Sequence, residues 1–346
     1  MRFSNCSTWD LDSSGRRETL NLKTAIEGGC WRVLCVGLVL SADDALGSGR
    51  KENTELLWHP GMANASAAAR VTTNLFVVAS DEDNCLRIYS CASNSAPALV
   101  RECGSFLGLT GHALEADIEG GARVVDRIYW IGSHSRNQEG RWRANRHRLF
   151  ATEIVTQGSV IDLVPVGRPC TDLLDQILAD PRFDPLDLKK TAVDAPERGG
   201  INIEALAATS TGGLLLGFRS PVPEGHAVLI PLLNPADVVA GRPARFADAI
   251  RLNLEGLGLR DMVWSGSEYF IIAGSPGRGG MTRLYRWKGP QHRPKKLDWR
   301  APHQFNAEAL ALFGPSKNPR LLVLSDDGGK TRSEDESSFR SLWVEP

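Results

Sequence analysis

One pattern recurs five times along the chain. In all copies but the first, a charged position, usually a carboxylate, precedes a short apolar strand. In every copy a turn leads to a second apolar strand, which ends in polar residues. The copies are Asn64–Tyr89, Leu114–Phe150, Ile201–Pro221, Leu257–Gly277 and Phe305–Gly329. The repeats start at about residues 64, 114, 201, 256 and 305, mostly 49 to 55 residues apart. This is a little above the roughly 40–50 residues of one four-stranded propeller blade. The repetition predicts an all-β protein, a β-propeller of five or six blades over residues 61–346.

The regular spacing is broken once, by 87 residues between the starts of the second and third copies. Residues 155–200 therefore hold either an irregular sixth blade or an insertion. Within them, Thr171–Asp180 has apolar residues at helical spacing, a candidate N-cap in Thr171, and Pro181 directly after it. This pattern predicts a short amphipathic helix that lies across one face of the ring, as a lid or as packing.

The first 60 residues do not follow the repeat, and we expect an N-terminal extension, or a closing strand, followed by a linker. Cys30–Leu40 is an apolar run shorter than the roughly 20 residues that a membrane span requires. It is either a buried strand that closes the ring or, over residues 31–42, the apolar region of an export signal. Residues 41–63 are interpreted as the linker.

Charge and cysteine content narrow the functional classes. The net charge of −1 provides no electrostatic basis for nucleic-acid or membrane-surface binding. Seven cysteines without a C-x2-C pair favour a reducing, cytoplasmic location, with export open if residues 31–42 are a signal. The chain lacks the serine-hydrolase elbow, the H-E-x-x-H motif, the P-loop and the dinucleotide fingerprint, which argues against those classes.

The opening charges of the repeats are the candidate metal ligands. Equivalent positions of a propeller converge on its central channel, which would bring together Glu119, Glu204, Asp261 and Glu308. Carboxylates this close need a counter-charge, and their hard oxygen donors are those that Ca²⁺ prefers. Asn202 and Asn306 lie two residues before an acid and could add further oxygens or contact substrate. The alternative is that the acids accept backbone hydrogen bonds between blades.

The polar ends of the second strands supply candidate catalytic groups. His134 is the candidate general base, because its unperturbed pKa near 6.5 suits proton transfer at neutral pH. Asp117, which shares an extended face with Glu119, and Arg136 complete the catalytic set. Arg146 and Arg219 are candidate ligands of an anionic substrate, or else fasteners between blades. A further acidic run, Ser80–Asn84, ends the second strand of the first copy. Like the other strand ends, it would face the channel or else a rim or a blade junction.

Several blocks of the sequence resemble a known bacterial family. They include LFVVASDEDNCLRIY, EADIEGGARVVDRIYWIGSHSRN, INIEALAA, GLGLRDMV and NAEALALF with LLVLSDDGG. From about Asn64 to Val344 they resemble the domain of unknown function 3616, with Ala205 where the family tends to have Gly. The resemblance implies a β-propeller. A more distant similarity to phytase-like esterases and calcium-dependent lactonases implies a metal-binding Glu slot at Glu119, Glu204 and Glu308.

Three functions follow as hypotheses. The first is calcium-dependent hydrolysis of a phosphoester or lactone in the channel. The second is a non-catalytic scaffold that binds a protein partner through a propeller face. The third is binding of a small anionic molecule by the arginine residues.

Overall fold

The computed structural model describes residues 55–92, 96–158, 160–277, 279–328, 331–333 and 336–346. These residues form five blades of antiparallel strands, so the protein is a five-bladed β-propeller. The apolar run at residues 30–40 and the signal alternative at residues 31–42 lie outside the described residues.

The first four blades each consist of four strands in chain order, counted from the channel outward. Blade 1 contains β2 (Ala67–Arg70), β3 (Leu75–Ala79), β4 (Cys85–Ser90) and β5 (Leu99–Glu102). Blade 2 contains β6 (Ile118–Val124), β7 (Arg127–Gly132), β8 (Leu149–Gln157) and β9 (Val160–Cys170). Blade 3 contains β10 (Asn202–Ala208), β11 (Leu214–Ser220), β12 (Ala227–Leu232) and β13 (Ile250–Leu252). Blade 4 contains β14 (Gly258–Trp264), β15 (Tyr269–Gly274), β16 (Arg283–Trp287) and β17 (Lys295–Lys296).

The fifth blade joins the two ends of the described chain. Its strands are β18 (Ala307–Phe313), β19 (Arg320–Ser325), β20 (Thr331–Ser333) and β21 (Glu336–Val344), and the outermost strand is β1 (Leu57–Pro60). Strand β1 pairs antiparallel with β21, and the His59 ring stacks on Phe339 at 4.7 Å between ring centroids. The closing strand thus lies in the segment predicted as a linker. The sequence did not indicate this strand, because four residues are too few to show a hydrophobic period.

The core consists of five apolar clusters, one between each pair of neighbouring blades. Each second strand is covered on both faces, which explains runs such as Tyr269–Gly274 (YFIIAG) in which every residue is buried. A strand with one solvent-exposed face would instead alternate apolar and polar residues. The apolar runs of the sequence therefore specify blades packed face to face.

The described residues of the long gap in the repeat contain no sixth blade. Leu149–Gln157 and Val160–Cys170 are the two long outer strands of blade 2, and the insertion follows them at residues 171–200. The short helices of the described chain are α1 (Gly104–Leu107), α2 (Leu173–Ala179), α3 (Leu188–Thr191) and α4 (Pro235–Val239). The N-cap of α2 is Asp172 rather than Thr171. Leu173, Leu174 and Ile177 are buried against blades 2 and 3, so this helix packs the blade junction.

Candidate functional site

A β-bulge at the same place in four inner strands aims one charged side chain per blade at the channel. In blade 2, Ile118 pairs with Gly132 and Gly120 pairs with the next residue, Ile131, which leaves Glu119 as the extra residue. The same shift recurs in blades 3, 4 and 5. The extra residues are Glu119, Glu204, Arg260 and Glu308. Bulges of this kind redirect a side chain out of the regular alternation of a strand.

Asp261 is therefore not the residue that faces the channel in blade 4. It follows the bulge, and its carboxylate accepts hydrogen bonds from the backbone N–H groups of Met262 at 2.7 Å and Leu310 at 2.6 Å. The bond from Leu310 joins blade 4 to blade 5. The structure thus places Asp261 at a blade junction, away from the predicted acidic ring, and Arg260 occupies the channel position instead.

The ends of the second strands meet the starts of the first strands at one mouth of the channel, because the two strands of each hairpin are antiparallel. A cavity of about 520 Å³ opens there. Its charged lining comprises eight carboxylates (Asp81, Glu82, Glu115, Asp117, Glu119, Glu139, Glu197 and Glu204) and three guanidinium groups (Arg136, Arg146 and Arg219). The mouth is therefore strongly acidic. We call it the acidic cavity.

Two of the predicted metal ligands already have guanidinium partners. Glu204 Oε1 accepts from Arg219 Nη1 at 2.6 Å, and Arg219 is fixed further by the carbonyl oxygens of Ser275 and Gly277. Glu308 forms an ion pair with Arg260. Glu204 is thus neutralised by an arginine of its own blade and Glu308 by an arginine of the neighbouring blade.

The two predicted asparagines support these carboxylates. Asn202 donates to Glu204 through Nδ2 at 2.8 Å. Asn306 donates to Glu308 at 3.2 Å and to Asp326 at 3.4 Å. Only Asn202 lines the acidic cavity, and its buried Oδ1 has no hydrogen-bond partner among the described residues.

Asp117 is held beside the channel by polar neighbours from its own blade. It is 6% exposed, accepts a hydrogen bond from the Ser133 hydroxyl, and lies 2.9 Å from Arg146 Nη1. Arg146 also pairs with Glu115 at 2.5 Å. Arg146 therefore orients Asp117 and is largely committed to carboxylates of its own blade.

Three carboxylates remain close together at the blade 1 and blade 2 side of the cavity. Asp81, Asp117 and Glu119 each present an oxygen, and these oxygens all lie within 4.8 Å of one another. We call this group the acidic triad. Asp81 Oδ1 is buried and accepts no hydrogen bond from the part of the chain that the structure describes.

The electrostatics of the acidic triad are unfavourable when it holds no cation. Burial, together with Asp117, Asp326 and Glu82, raises the pKa of Asp81 to about 7. Burial also raises the pKa of Asp117 to about 7, against the opposing effects of Arg146 and Ser133. The pKa of Glu119 is raised well above its ordinary value by burial and by Glu204, Asp117 and Asp81. Buried like charges of this kind call for protons or a cation.

His134 does not line the acidic cavity. It is 2% exposed, its Nδ1 lies 2.8 Å from the carbonyl oxygen of Gly132, and its ring packs against that of His147. Burial lowers the pKa of His134 to about 4. The structure thus places the predicted general base behind the wall of the cavity, where a substrate in the channel does not reach it.

Arg136 lies at the cavity wall and joins the blade 2 loop to the insertion. Its Nε donates to the carbonyl oxygen of Ala192 at 2.8 Å, its Nη1 donates to that of Gly140 at 3.0 Å, and its guanidinium lies 5.5 Å from the centre of the Trp142 ring. Among the described residues it has no carboxylate partner. Of the three cavity arginines, it is the one whose charge remains available to a ligand.

Asp81 belongs to the acidic triad, although the sequence analysis placed it among the polar strand ends and not among the candidate metal ligands. The signal was present in the run Ser80–Asn84 at the end of the second strand of blade 1. What the sequence did not specify was whether that end faces the channel or a rim. Antiparallel pairing of β2 with β3 decides the question, since it brings the end of β3 beside the opening of the inner strand.

Residues 64–166 and 166–341 match the family described as protein of unknown function DUF3616. The chain belongs to the DUF3616 family. The family match covers all five inner strands and the whole acidic triad, so the site described above is part of the DUF3616 region. No match is found among the curated proteins.

Solved structures with a similar fold share little sequence with this DUF3616 protein. The allergen Mala s 1 of Malassezia sympodialis is 10% identical, with 81% of this chain and 93% of the allergen covered and a TM-score of 0.47. The glutaminyl cyclase of Myxococcus xanthus is 11% identical, with 83% and 95% covered and a TM-score of 0.41. The PQQ-bound aldose sugar dehydrogenase of Streptomyces coelicolor is 10% identical, with 84% and 99% covered and a TM-score of 0.40. At these values none of them assigns an activity to the DUF3616 protein.

None of the helices in the described residues has the length and apolar character needed to cross a bilayer.

Proposed function

We propose that the acidic cavity binds a divalent cation, Ca²⁺, at Asp81, Asp117 and Glu119, and that the protein is a calcium-dependent hydrolase. The observation that carries the proposal is the approach of three carboxylate oxygens to within 4.8 Å of one another, with Asp81 Oδ1 lacking a partner in the described chain. Three carboxylates with an amide oxygen nearby suit Ca²⁺, which takes roughly six to eight oxygen ligands in a flexible geometry, better than Mg²⁺, which usually keeps several waters and binds about one or two carboxylates.

The remaining residues have supporting roles. Arg146 and Ser133 hold Asp117 in place, and the unpartnered Oδ1 of Asn202 is a further hard oxygen at the cavity wall. Arg219 and Arg260 neutralise Glu204 and Glu308, which keeps those two acids from competing for the cation. A bound Ca²⁺ would polarise a substrate oxygen and lower the pKa of a bound water, which removes the need for His134 as the base.

The charge of the cavity favours a neutral substrate over a phosphoester. Eight carboxylates and three guanidinium groups line it, so one Ca²⁺ leaves an excess of negative charge. A cleft of one sign concentrates ions of the opposite sign and repels those of its own. Among the two substrate classes, a neutral lactone therefore suits the cavity better.

Binding of an anionic group without hydrolysis is the second candidate, and Arg136 is the observation that favours it. Its guanidinium has no carboxylate partner among the described residues and lies at the cavity wall. A ligand with one carboxylate could pair with Arg136 while its hydroxyl groups face the cation. A loss of ligand binding in Arg136→Gln, without any loss of calcium binding, would support this candidate.

The decisive experiment is calcium titration by calorimetry on protein freed of metal with EDTA. We expect one site per chain, lost in Asp81→Asn and Glu119→Gln and retained in Glu82→Gln. Glu82 is the matched control, because it lines the same cavity without belonging to the triad. A second arm compares calcium-dependent hydrolysis of neutral lactones with that of phosphomonoesters. The metal proposal is refuted if wild-type protein takes up no Ca²⁺ at millimolar concentration, and the hydrolase proposal if neither substrate class is cleaved by the calcium-loaded protein.

A further inference from the structure

A second cavity, of about 390 Å³, opens at the other end of the channel. All five inner strands contribute to it through their carboxyl-terminal halves, and the turns that follow β6, β14 and β18 complete its rim. Its lining shares no residue with the acidic cavity. We call it the lower cavity.

The lower cavity exists because small residues occupy the ends of the inner strands. Ala68, Gly121, Ala122, Ala207 and Ala208 line it, and short side chains there leave space along the channel axis. A Cβ at position 121 would lie 2.9 Å from Trp130 Cζ3 on β7 of the same blade, so a side chain there would require the Trp130 ring to shift.

The apolar part of the lining comes from half-buried side chains. They are Val263, Trp264 and Leu312, and the Trp264 ring is supported by Tyr269 at 4.5 Å between ring centroids. A concave surface of this size that combines apolar side chains with a few charged groups can hold a small molecule.

The charge of the lower cavity is opposite to that of the acidic cavity. Its lining contains Arg70 and Arg123 and no carboxylate. Arg123 is held by the carbonyl oxygens of Arg70 at 3.1 Å, Val71 at 2.6 Å and Val125 at 2.6 Å. Arg70 is exposed and has no ion pair within the described residues. Arg123 also lies 3.5 Å from the Asp126 carboxylate. Arg70 is therefore the rim arginine without a carboxylate partner among the described residues.

We infer that the lower cavity binds a small amphipathic anion, with its apolar body against Trp264 and Leu312 and its carboxylate at Arg70. These two apolar side chains provide the hydrophobic contribution to binding, and Arg70 selects the sign of the head group. Because the two cavities share no residue, this inference is independent of the cation site.

Octanoate is a suitable probe, and octylammonium is its matched control with the same chain and the opposite charge. Calorimetry should give one octanoate site per chain and no octylammonium binding. Arg70→Gln should weaken octanoate about tenfold, as expected for the loss of one charge-assisted contact worth about 1.4 kcal/mol. Arg141→Gln, at an exposed arginine outside both the rim and the lower cavity, should leave the affinity unchanged.

Ala208→Phe fills the hollow and should abolish octanoate binding, while Glu119→Gln in the acidic cavity should not affect it. Equal binding of octanoate and octylammonium would overturn the inference, and so would unchanged affinity in Ala208→Phe. If Ala208→Phe fails to fold, Arg70→Glu decides alone: octanoate binding should be lost, and retained affinity refutes the site. Absence of any octanoate binding to the wild type also refutes it.

Discussion

The Arg219 guanidinium donates to Glu204 Oε1 across 2.6 Å, from the end of β11 to the bulge of β10 within blade 3. The carboxylates of the channel form two groups, those that have an arginine partner and those that do not. On one side Glu204 and Glu308 are each neutralised by an arginine. On the other side Asp81 and Glu119 have no ion pair among the described residues. The cation proposal therefore concerns the blade 1 and blade 2 side of the channel.

Removing one charge from the acidic triad should stabilise the metal-free protein. In EDTA at pH 8, Asp81→Asn relieves repulsion among buried carboxylates, and we expect the melting temperature to rise by about 2 °C or more, equivalent to about 1 kcal/mol. With calcium the order should reverse, because ligand binding stabilises only the wild type. Scanning calorimetry with and without Ca²⁺ measures both effects. A melting temperature for Asp81→Asn in EDTA at or below that of the wild type would contradict the prediction.

Breaking the Arg219–Glu204 pair should be costly. The two side chains are 14% and 6% exposed, so Arg219→Met leaves a buried carboxylate unpaired and should reduce the free energy of unfolding by about 3–5 kcal/mol. The double variant Arg219→Met with Glu204→Gln should recover most of that loss. Urea unfolding measures the difference. The control is Lys189→Met in the exposed pair with Asp184, which should cost below about 1 kcal/mol.

Lowering the pH should destabilise the protein at His59, on the strand β1 that closes the ring of blades. This residue is fully buried, bonds to the Ser341 hydroxyl at 2.8 Å, and has its pKa lowered to about 4 by burial. Between about pH 4 and pH 6.5 the unfolded chain binds a proton at this histidine and the folded protein does not. The free energy of unfolding is therefore highest above about pH 6.5 and falls as the pH drops toward 4. The full contribution is about 3 kcal/mol. Urea midpoints from pH 7 to pH 4.5 should fall less steeply in His59→Phe than in the wild type, whereas His112→Phe at an exposed position should keep the wild-type slope.

The inner strands should not tolerate a side chain where backbones meet. A Cβ at Gly258 would lie 1.9 Å from the carbonyl oxygen of Arg219, so Gly258→Ala must displace the backbone between blades 3 and 4. We expect a loss of about 1–3 kcal/mol or more, the cost of overpacking. At Gly277 a Cβ meets nothing within 4 Å, and Gly277→Ala should change the urea midpoint little. Equal midpoints for the two variants would show that this backbone contact is not tight.

The sequence predicted the repeat well because each blade must bury both faces of its second strand. That requirement produces uninterrupted apolar runs such as YFIIAG, and their spacing is visible without coordinates. The positions of Glu119, Glu204 and Glu308 at the inner strands followed from the same repeat. The helix of the insertion was also predictable, apart from its cap, because its apolar period is local.

The repeat pattern did not predict where the β-bulges lie or whether a strand end faces the channel. Arg260 and Asp261 are adjacent, and only the register of β14 against β15 shows which of them faces the channel. Likewise, the run after β3 faces the channel only because β3 returns beside β2. The ion pairs were not predicted either, because partners such as Glu308 and Arg260 are 48 residues apart in the sequence.

The amino-acid sequence alone determined the class of fold and predicted the number of blades to within one, because burial on both faces of a strand imposes a local apolar pattern. It also showed which charged residues lie at the start of the repeated units. Only the tertiary structure decided which charges share a cavity and which cancel each other, because a one-residue bulge or a distant guanidinium changes the partner of a carboxylate without changing the pattern around it.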